Sequence, residues 1–175
     1  MRSAELSALI GERLRTARAV RGLPLAALAR QAGIGKGSLS EIENGTRNPN
    51  LSTLYALAGA LGVPLSWLLA ERAGAEVRSP GITARLLDST TSDGVTIEVY
   101  LLRLDPGPPH RSRPHGPTVT EHFLVTRGRA RVGRQGGEIT LGVGEATTWT
   151  ADTDHGYQVV GDEAVEAVLV MRWPD

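Results

Sequence analysis

The four histidines of this chain, His110, His115, His122 and His155, all lie in its second half, and cysteine is absent. A metal ion would therefore have to sit on imidazole and carboxylate, and thiolate catalysis, zinc ribbons and disulfide frameworks are excluded. Strand alternation sorts one stretch of these residues. Glu121, Phe123 and Val125 share one face, and His122, Leu124 and Thr126 the other, so an interior Glu121 leaves His122 outside. A second group of chemically capable side chains stands near residue 40. If Leu39 and Ile42 face inward on a helix, then Lys36, Gly37, Ser38, Ser40 and Glu41 turn outward at its N-terminal end. Lysine can donate to guanine, serine can pair with either kind of base, and glutamate can accept from cytosine, while Gly37 is blank. Thr46, Arg47 and Asn48 follow and could hold phosphates, which position a protein on DNA without specifying sequence. Taken singly, each of these residues is equally a solvated polar position.

The elements that must carry these groups differ between the two halves. With 41% hydrophobic and 22% charged residues, and 19 basic against 19 acidic side chains, the 175-residue chain has the composition of a globular protein, not of a disordered or uniformly basic one. The zero net charge conceals a division near residue 75: nine Lys/Arg against five Asp/Glu before it, ten against fourteen after it. A basic half beside an acidic, histidine-holding half suggests two jobs, one of them at a polyanion.

The basic half predicts five short helices. Leu6, Leu9, Ile10, Leu14 and Ala17 recur at helical spacing up to a stop at Gly22. Pro24 opens a second helix that Gly33 breaks, a third runs from Lys36 to Asn44 and closes at Gly45, a fourth covers 51–61, and a fifth covers 64–70. The acidic half changes period. Val95, Ile97, Val99 and Leu101 alternate with Thr96, Glu98, Tyr100 and Leu102, and short segments of the same kind recur at 82–87, 121–126, 130–132, 138–141, 146–150, 157–160 and 165–173. Many short strands separated by Gly, Pro and Asp turns suggest a sandwich or barrel. These boundaries divide the chain into residues 1–70, a linker at 71–80, and residues 81–175; the HRSRPHGP segment reads as a proline-stiffened loop.

The segment LPLAALARQAGIGKGSLSEIENG, residues 23–45, combines a small residue (Ala29), a turn glycine (Gly33) and an apolar set of Leu25, Leu28, Ala32, Ile34, Leu39 and Ile42. Two helices packed at a steep angle need all three. The segment resembles the helix-turn-helix of the phage-repressor-like (XRE) family of transcription regulators, and the likeness extends from about Ile10 to Leu69. The resemblance implies that the third helix enters the major groove, with Lys36, Gly37, Ser38 and Glu41 at base-reading positions. It also implies a partly buried ion pair between Arg18 and Glu43 that fixes this helix. Leu25, Ala26 and Ala27 stand where the family often carries a phosphate-binding glutamine.

Residues 80–173 resemble a cupin, a double-sheet β-barrel, on two segments: His115-Gly-Pro-Thr-Val-Thr-Glu121 with Gly128 beyond it, and Gly144 followed by His155. The resemblance implies a metal set of His115, Glu121 and His155. The second histidine of the usual pattern is replaced by Pro117, and Thr150 and Val159 stand where a proline and an asparagine are usual. Two imidazoles and one carboxylate suit non-haem Fe(II) and also Mn, Ni or Zn. His110 is an alternative ligand, and histidines near prolines and arginines also occur as surface groups. Tyr100, Trp149 and Tyr157 read as ordinary core rather than cavity lining.

Together these readings predict a two-domain α plus β protein: a five-helix helix-turn-helix bundle, then a cupin barrel. Its expected function is sequence-specific binding of a double-stranded DNA operator as a homodimer, with the barrel taking a small-molecule effector, supporting dimerisation, or both. The alternative is a mononuclear non-haem iron cupin enzyme, oxygenase- or epoxidase-like, that carries a helix-turn-helix domain. A barrel that only dimerises is a third reading. No run approaches the roughly 18 apolar residues of a membrane span, and the start MRSAELSALIGERLR lacks a signal-peptide core, so the expected location is cytoplasmic, without a membrane partner.

Overall fold

A computed structural model describes residues 3–70 and 72–174. The chain separates into two compact units, 1–71 and 72–175. In the first, five helices follow one another: α1 (Ser3–Val20), α2 (Leu25–Ala32), α3 (Lys36–Glu43), α4 (Leu51–Leu61) and α5 (Leu65–Leu68). Their buried residues fall on the stripes that helical spacing requires: Ile10, Leu14 and Ala17 on α1, Leu28, Ala29 and Ala32 on α2, and Leu39 and Ile42 on α3. Each leucine taken fully from water in this way stabilises the unit by about 2 kcal/mol before entropy is set against it.

The α2–α3 turn depends on Gly33. Its backbone is left-handed at φ 65°, and its N–H caps α2 by donating to the carbonyl region of Ala29 and Arg30. That conformation is strained for any residue with a Cβ.

The second unit is built of ten strands: β1 (Glu76–Ser79), β2 (Ile82–Ser92), β3 (Val95–Leu104), β4 (His110–Ser112), β5 (Thr120–Arg127), β6 (Ala130–Arg134), β7 (Ile139–Leu141), β8 (Ala146–Thr150), β9 (His155–Val159) and β10 (Val165–Pro174). They form two sheets, a six-stranded one in the order β1-β2-β3-β10-β5-β8 and a four-stranded one in the order β4-β9-β6-β7. Every pairing is antiparallel. Two differences from the sequence reading have one cause. Residues 76–79, placed in the linker, pair with β2, and His110–Ser112, placed in a loop, pair with β9. Both strands are short and lie at sheet edges, where the partner strand supplies the hydrogen bonds and no hydrophobic alternation is needed.

Register brings the inward residues of three strands into rows. Tyr100, Leu169 and Phe123 lie across β3, β10 and β5, and so do Glu98, Met171 and Glu121. Strand β3 is inverted relative to simple amphipathicity: Thr96 and Glu98 are buried, while Val95, Ile97 and Val99 are only half-buried. Buried Glu98 is satisfied by Trp173, whose Nε1–H donates to its Oε2 at 2.8 Å.

Candidate functional site

Two constellations emerge, one in each unit. The first is the outer face of α3. Lys36, Gly37 and Glu41 are exposed, Ser38 and Ser40 half-buried, and Thr46, Arg47 and Asn48 exposed beyond the helix. Leu39 and Ile42 do face inward, at 0% and 1% exposure, so the polar set is turned out by the packing of the apolar one. Arg47 ties part of this surface together: its Nη1 donates to Ser38 Oγ and to Glu41 Oε2, each at 3.2 Å. Thr46 Oγ1 donates to the Glu41 carbonyl at 3.0 Å. A cavity of about 310 Å³ beside α3 is lined by Ser38, Arg47, Asn48, Asn50 and Thr53 among others.

What holds α3 in place is a set of contacts from α1. Arg18 grips the Glu43 carboxylate with two parallel bonds, Nε to Oε1 at 2.7 Å and Nη2 to Oε2 at 2.8 Å. The Glu43 side chain is 5% exposed and that of Arg18 19%. The bonds to Glu43, and then its charge, outweigh desolvation and raise the guanidinium above its usual value. Two further contributors escaped the sequence reading. Arg15, one turn before Arg18, donates from Nη2 to the Glu43 carbonyl at 2.6 Å and to Asn44 Oδ1 at 3.1 Å, and so caps the C-terminal end of α3. Gly11 lies where α1 crosses α3, and a Cβ there would stand 2.4 Å from the Ile42 carbonyl oxygen. The available signals were an arginine pair at i, i+3 and a glycine inside a helical stripe.

The second constellation lies inside the β-unit. His115, in the loop before β5, is held by its backbone N–H to the Ala151 carbonyl at 2.8 Å. Glu121 projects inward from β5 and His155 from β9, and all three are buried, at 3%, 0% and 2% exposure. His115 Nε2 and His155 Nε2 each lie 3.1 Å from the same oxygen, Glu121 Oε1. One ligand atom from each residue lies within 4.8 Å of the others. His110 is not part of this group. His122 is outside, with Nδ1 2.9 Å from Thr148 Oγ1, as the alternation from Glu121 requires.

The surroundings fit a cation at that point. His155 Nδ1 is 3.0 Å from the Thr153 carbonyl, so Nδ1–H donates outward and Nε2 is the nitrogen turned to Glu121. Tyr157 donates its hydroxyl to Glu121 Oε2 at 2.5 Å, which occupies the second carboxylate oxygen and leaves Oε1 turned to the imidazoles. Neither Glu121 Oε1 nor His155 Nε2 has an aligned hydrogen-bond partner among the described residues. Trp173 stacks on His115 at 6.0 Å and is itself tethered to Glu98. Tyr157 is thus a polar supporter of the site and not only core, and Trp149 leaves its Nε1–H buried without a partner. Sequence reading missed these supports because a tyrosine or tryptophan in a strand looks the same whether or not its polar atom is used.

Electrostatics agree with the geometry. Burial would raise the Glu121 carboxyl, but the His155 charge, then the other imidazole contacts, outweigh it and hold it well below the carboxylate range. Burial acts to lower His155 as well, yet the facing Glu121 carboxylate and the Thr153 carbonyl raise it above 6.5. His115 is pushed down by burial against the pull of Glu121. A divalent ion entering the group would compete with a proton for the imidazole nitrogens.

Comparison with known proteins follows the same division. A helix-turn-helix family model matches residues 14–68 and a cupin-domain model residues 100–171. The HTH-type transcriptional regulator SutR of Escherichia coli is 28% identical over 173 residues, covering 97% of each chain. The transcriptional regulator ClgR of Mycobacterium tuberculosis is 34% identical over 90 residues, which is 51% of this chain and 80% of that one. The crystal structure of an HTH_3 family transcriptional regulator from Vibrio cholerae superposes with a TM-score of 0.86 at 25% identity, over 99% of this chain and 100% of that one. All three are named as transcriptional regulators. No helix among the described residues is long and apolar enough to cross a membrane.

Proposed function

We propose, from the premise that this chain belongs to the XRE-type helix-turn-helix transcriptional regulators carrying a C-terminal cupin domain, that it reads an operator through α3 as a homodimer under control of its β-unit. The observation that carries this reading is the anchoring of α3: Arg15, Arg18 and Gly11 fix its inner face, and Lys36, Gly37, Ser38, Ser40 and Glu41 are left to meet base edges. Thr46, Arg47 and Asn48 would then contact phosphates. One such helix covers a half-site, so specificity requires a second copy about 34 Å away along the duplex. A gel-shift on the DNA flanking the protein's own gene tests this. Lys36→Ala is expected to weaken binding there about tenfold, and raising salt to weaken it steeply through counterion release. Wild-type and variant binding the same DNA equally would overturn the assignment.

The His115, Glu121 and His155 group would hold a divalent ion, Fe, Mn, Ni or Zn, as its donor set allows. When bound, the ion supplies open coordination positions for an effector's oxygen or nitrogen donor. A ligand there would alter operator affinity, and DNA would alter ligand affinity by the same factor. An iron oxygenase would use the same donor set, but the whole-chain matches at 25% identity or more reported above are to regulators. Protein purified without chelator is expected to carry close to one metal per chain by elemental analysis, and His155→Ala to lose it. Equal metal in both proteins would assign the ion elsewhere.

A further inference from the structure

Strand β10 alternates strictly, and its outward residues read Glu166, Val168, Val170 and Arg172. About the inward-facing Leu169 this series is symmetric in hydrophobicity and opposite in charge. The neighbours extend the apolar centre: Val168 is in register with Leu101 on one side and Leu124 on the other, and Val170 with Val99. The four valine and leucine positions on β3 and β10 are half-buried and Leu124 is 38% exposed, although a sheet face that only meets water is ordinarily polar. Strand spacing and rise give the outer face of the six-stranded sheet an area of roughly 750 Å², close to the ~800 Å² that a standard interface takes from each partner.

We infer that this face is where two copies of the chain meet, about a two-fold axis that lies between the two sheets, parallel to them, perpendicular to β10 and level with Leu169. The inference rests on the dimer reading above and names its surface. Such an axis stacks the two β10 strands face to face and in opposite directions. Val168 then meets Val170 of the partner subunit, and Glu166 meets Arg172 of the partner subunit, each contact occurring twice because a two-fold interface is isologous. An apolar centre ended by Glu166 on one side and Arg172 on the other is self-complementary under this axis, although Arg103 and Arg127, in register with Glu166, flank its carboxylate on the same face, Arg103 at 4.0 Å. Aligned sheet-on-sheet packing of this kind is a common solution for two sheet faces.

The test is the mass of the full chain by light scattering and sedimentation across nanomolar to micromolar concentration. Wild type is expected at twice its 18.6 kDa. Glu166→Arg should raise the dissociation constant at least tenfold by setting two like-charged pairs across the axis, and Glu166→Arg with Arg172→Glu should return it to within about threefold of wild type. Val170→Arg should give monomers, with circular dichroism confirming that the sheet is retained; the charge swap decides the matter if that variant does not fold. A dimer untouched by Glu166→Arg, or not rescued by the double change, overturns this face while leaving the dimer reading intact. A wild-type chain that stays monomeric overturns both and leaves the face to another partner.

Discussion

Replacing Arg18 by methionine is expected to destabilise the helical unit by about 3 kcal/mol, because it strands the Glu43 carboxylate in a place from which water is excluded. The arginine gives that carboxylate both of its side-chain bonds, at 2.7 and 2.8 Å, and a third donor of the same guanidinium, Nη1, reaches the Leu23 carbonyl at 3.0 Å. Glu43 is 6% exposed, so it cannot recover the loss by turning to solvent. Arg15 does not replace the missing partner, since its bonds go to the Glu43 carbonyl and to Asn44. Glu43→Leu alone should cost less, as Arg18 at 19% side-chain exposure can reach water. The double change Arg18→Met with Glu43→Leu should be milder than the sum of the two, because neither charge is then left buried alone. Urea midpoints followed by helical circular dichroism measure all three. A single-variant loss below about 1 kcal/mol, or strictly additive losses, would mean that the pair contributes no more than a surface bridge.

That prediction also marks how far the sequence could be read. The five helices were legible because each feature of the 23–45 segment acts locally: leucines at helical spacing select a face, and Gly33 at φ 65° ends one helix in a conformation other residues resist. Arg18 with Glu43 was reached only through family resemblance, since the two are 25 residues apart and no spacing rule joins them. Arg15 and Gly11 act through the same α1–α3 crossing and were not reached at all, because their roles exist only once the helices touch.

In the β-unit the alternation of β5 correctly put Glu121 and His122 on opposite faces, and the structure shows Glu121 to be the inner one. It could not show that the loop bearing His115 brings Nε2 to within 3.1 Å of Glu121, because loop geometry is set by the Ala151 carbonyl across the unit. Strand β3 was legible as a strand but not as to its faces. Its polar residues Thr96 and Glu98 go inward, where Trp173, 75 residues away in the chain but on the neighbouring strand β10, offers Glu98 a donor. The valines and leucine turned out by that choice create the outer apolar face. A buried polar network on one side of a strand thus has a direct consequence on the other.

Acidification is expected to unfold the β-unit earlier than its carboxylates alone would require, and His110 is the reason. This residue is 8% exposed, stacks on Tyr157 at 6.1 Å, and has no hydrogen-bond partner at Nε2 among the described residues. Burial first, and the nearby His155 charge second, lower it from 6.5 to about 4. Between those values the unfolded chain binds a proton at residue 110 that the folded chain refuses, so stability falls as pH falls, by up to about 3 kcal/mol once both forms are protonated. His115, also lowered by burial, acts in the same direction, and raised His155 in the opposite one: its contribution is complete below 6.5 and disappears as pH rises through its higher folded value. The difference between wild type and His110→Phe separates the His110 share from these, because phenylalanine keeps the ring against Tyr157 and cannot take a proton. Denaturant midpoints from pH 7.5 to 4, measured with a chelator so that metal does not compete for the imidazoles, should show the two proteins diverging below 6.5 with the variant the more acid-resistant. Parallel curves would place a protonatable, solvated His110 in the folded state and remove the basis for the acid sensitivity.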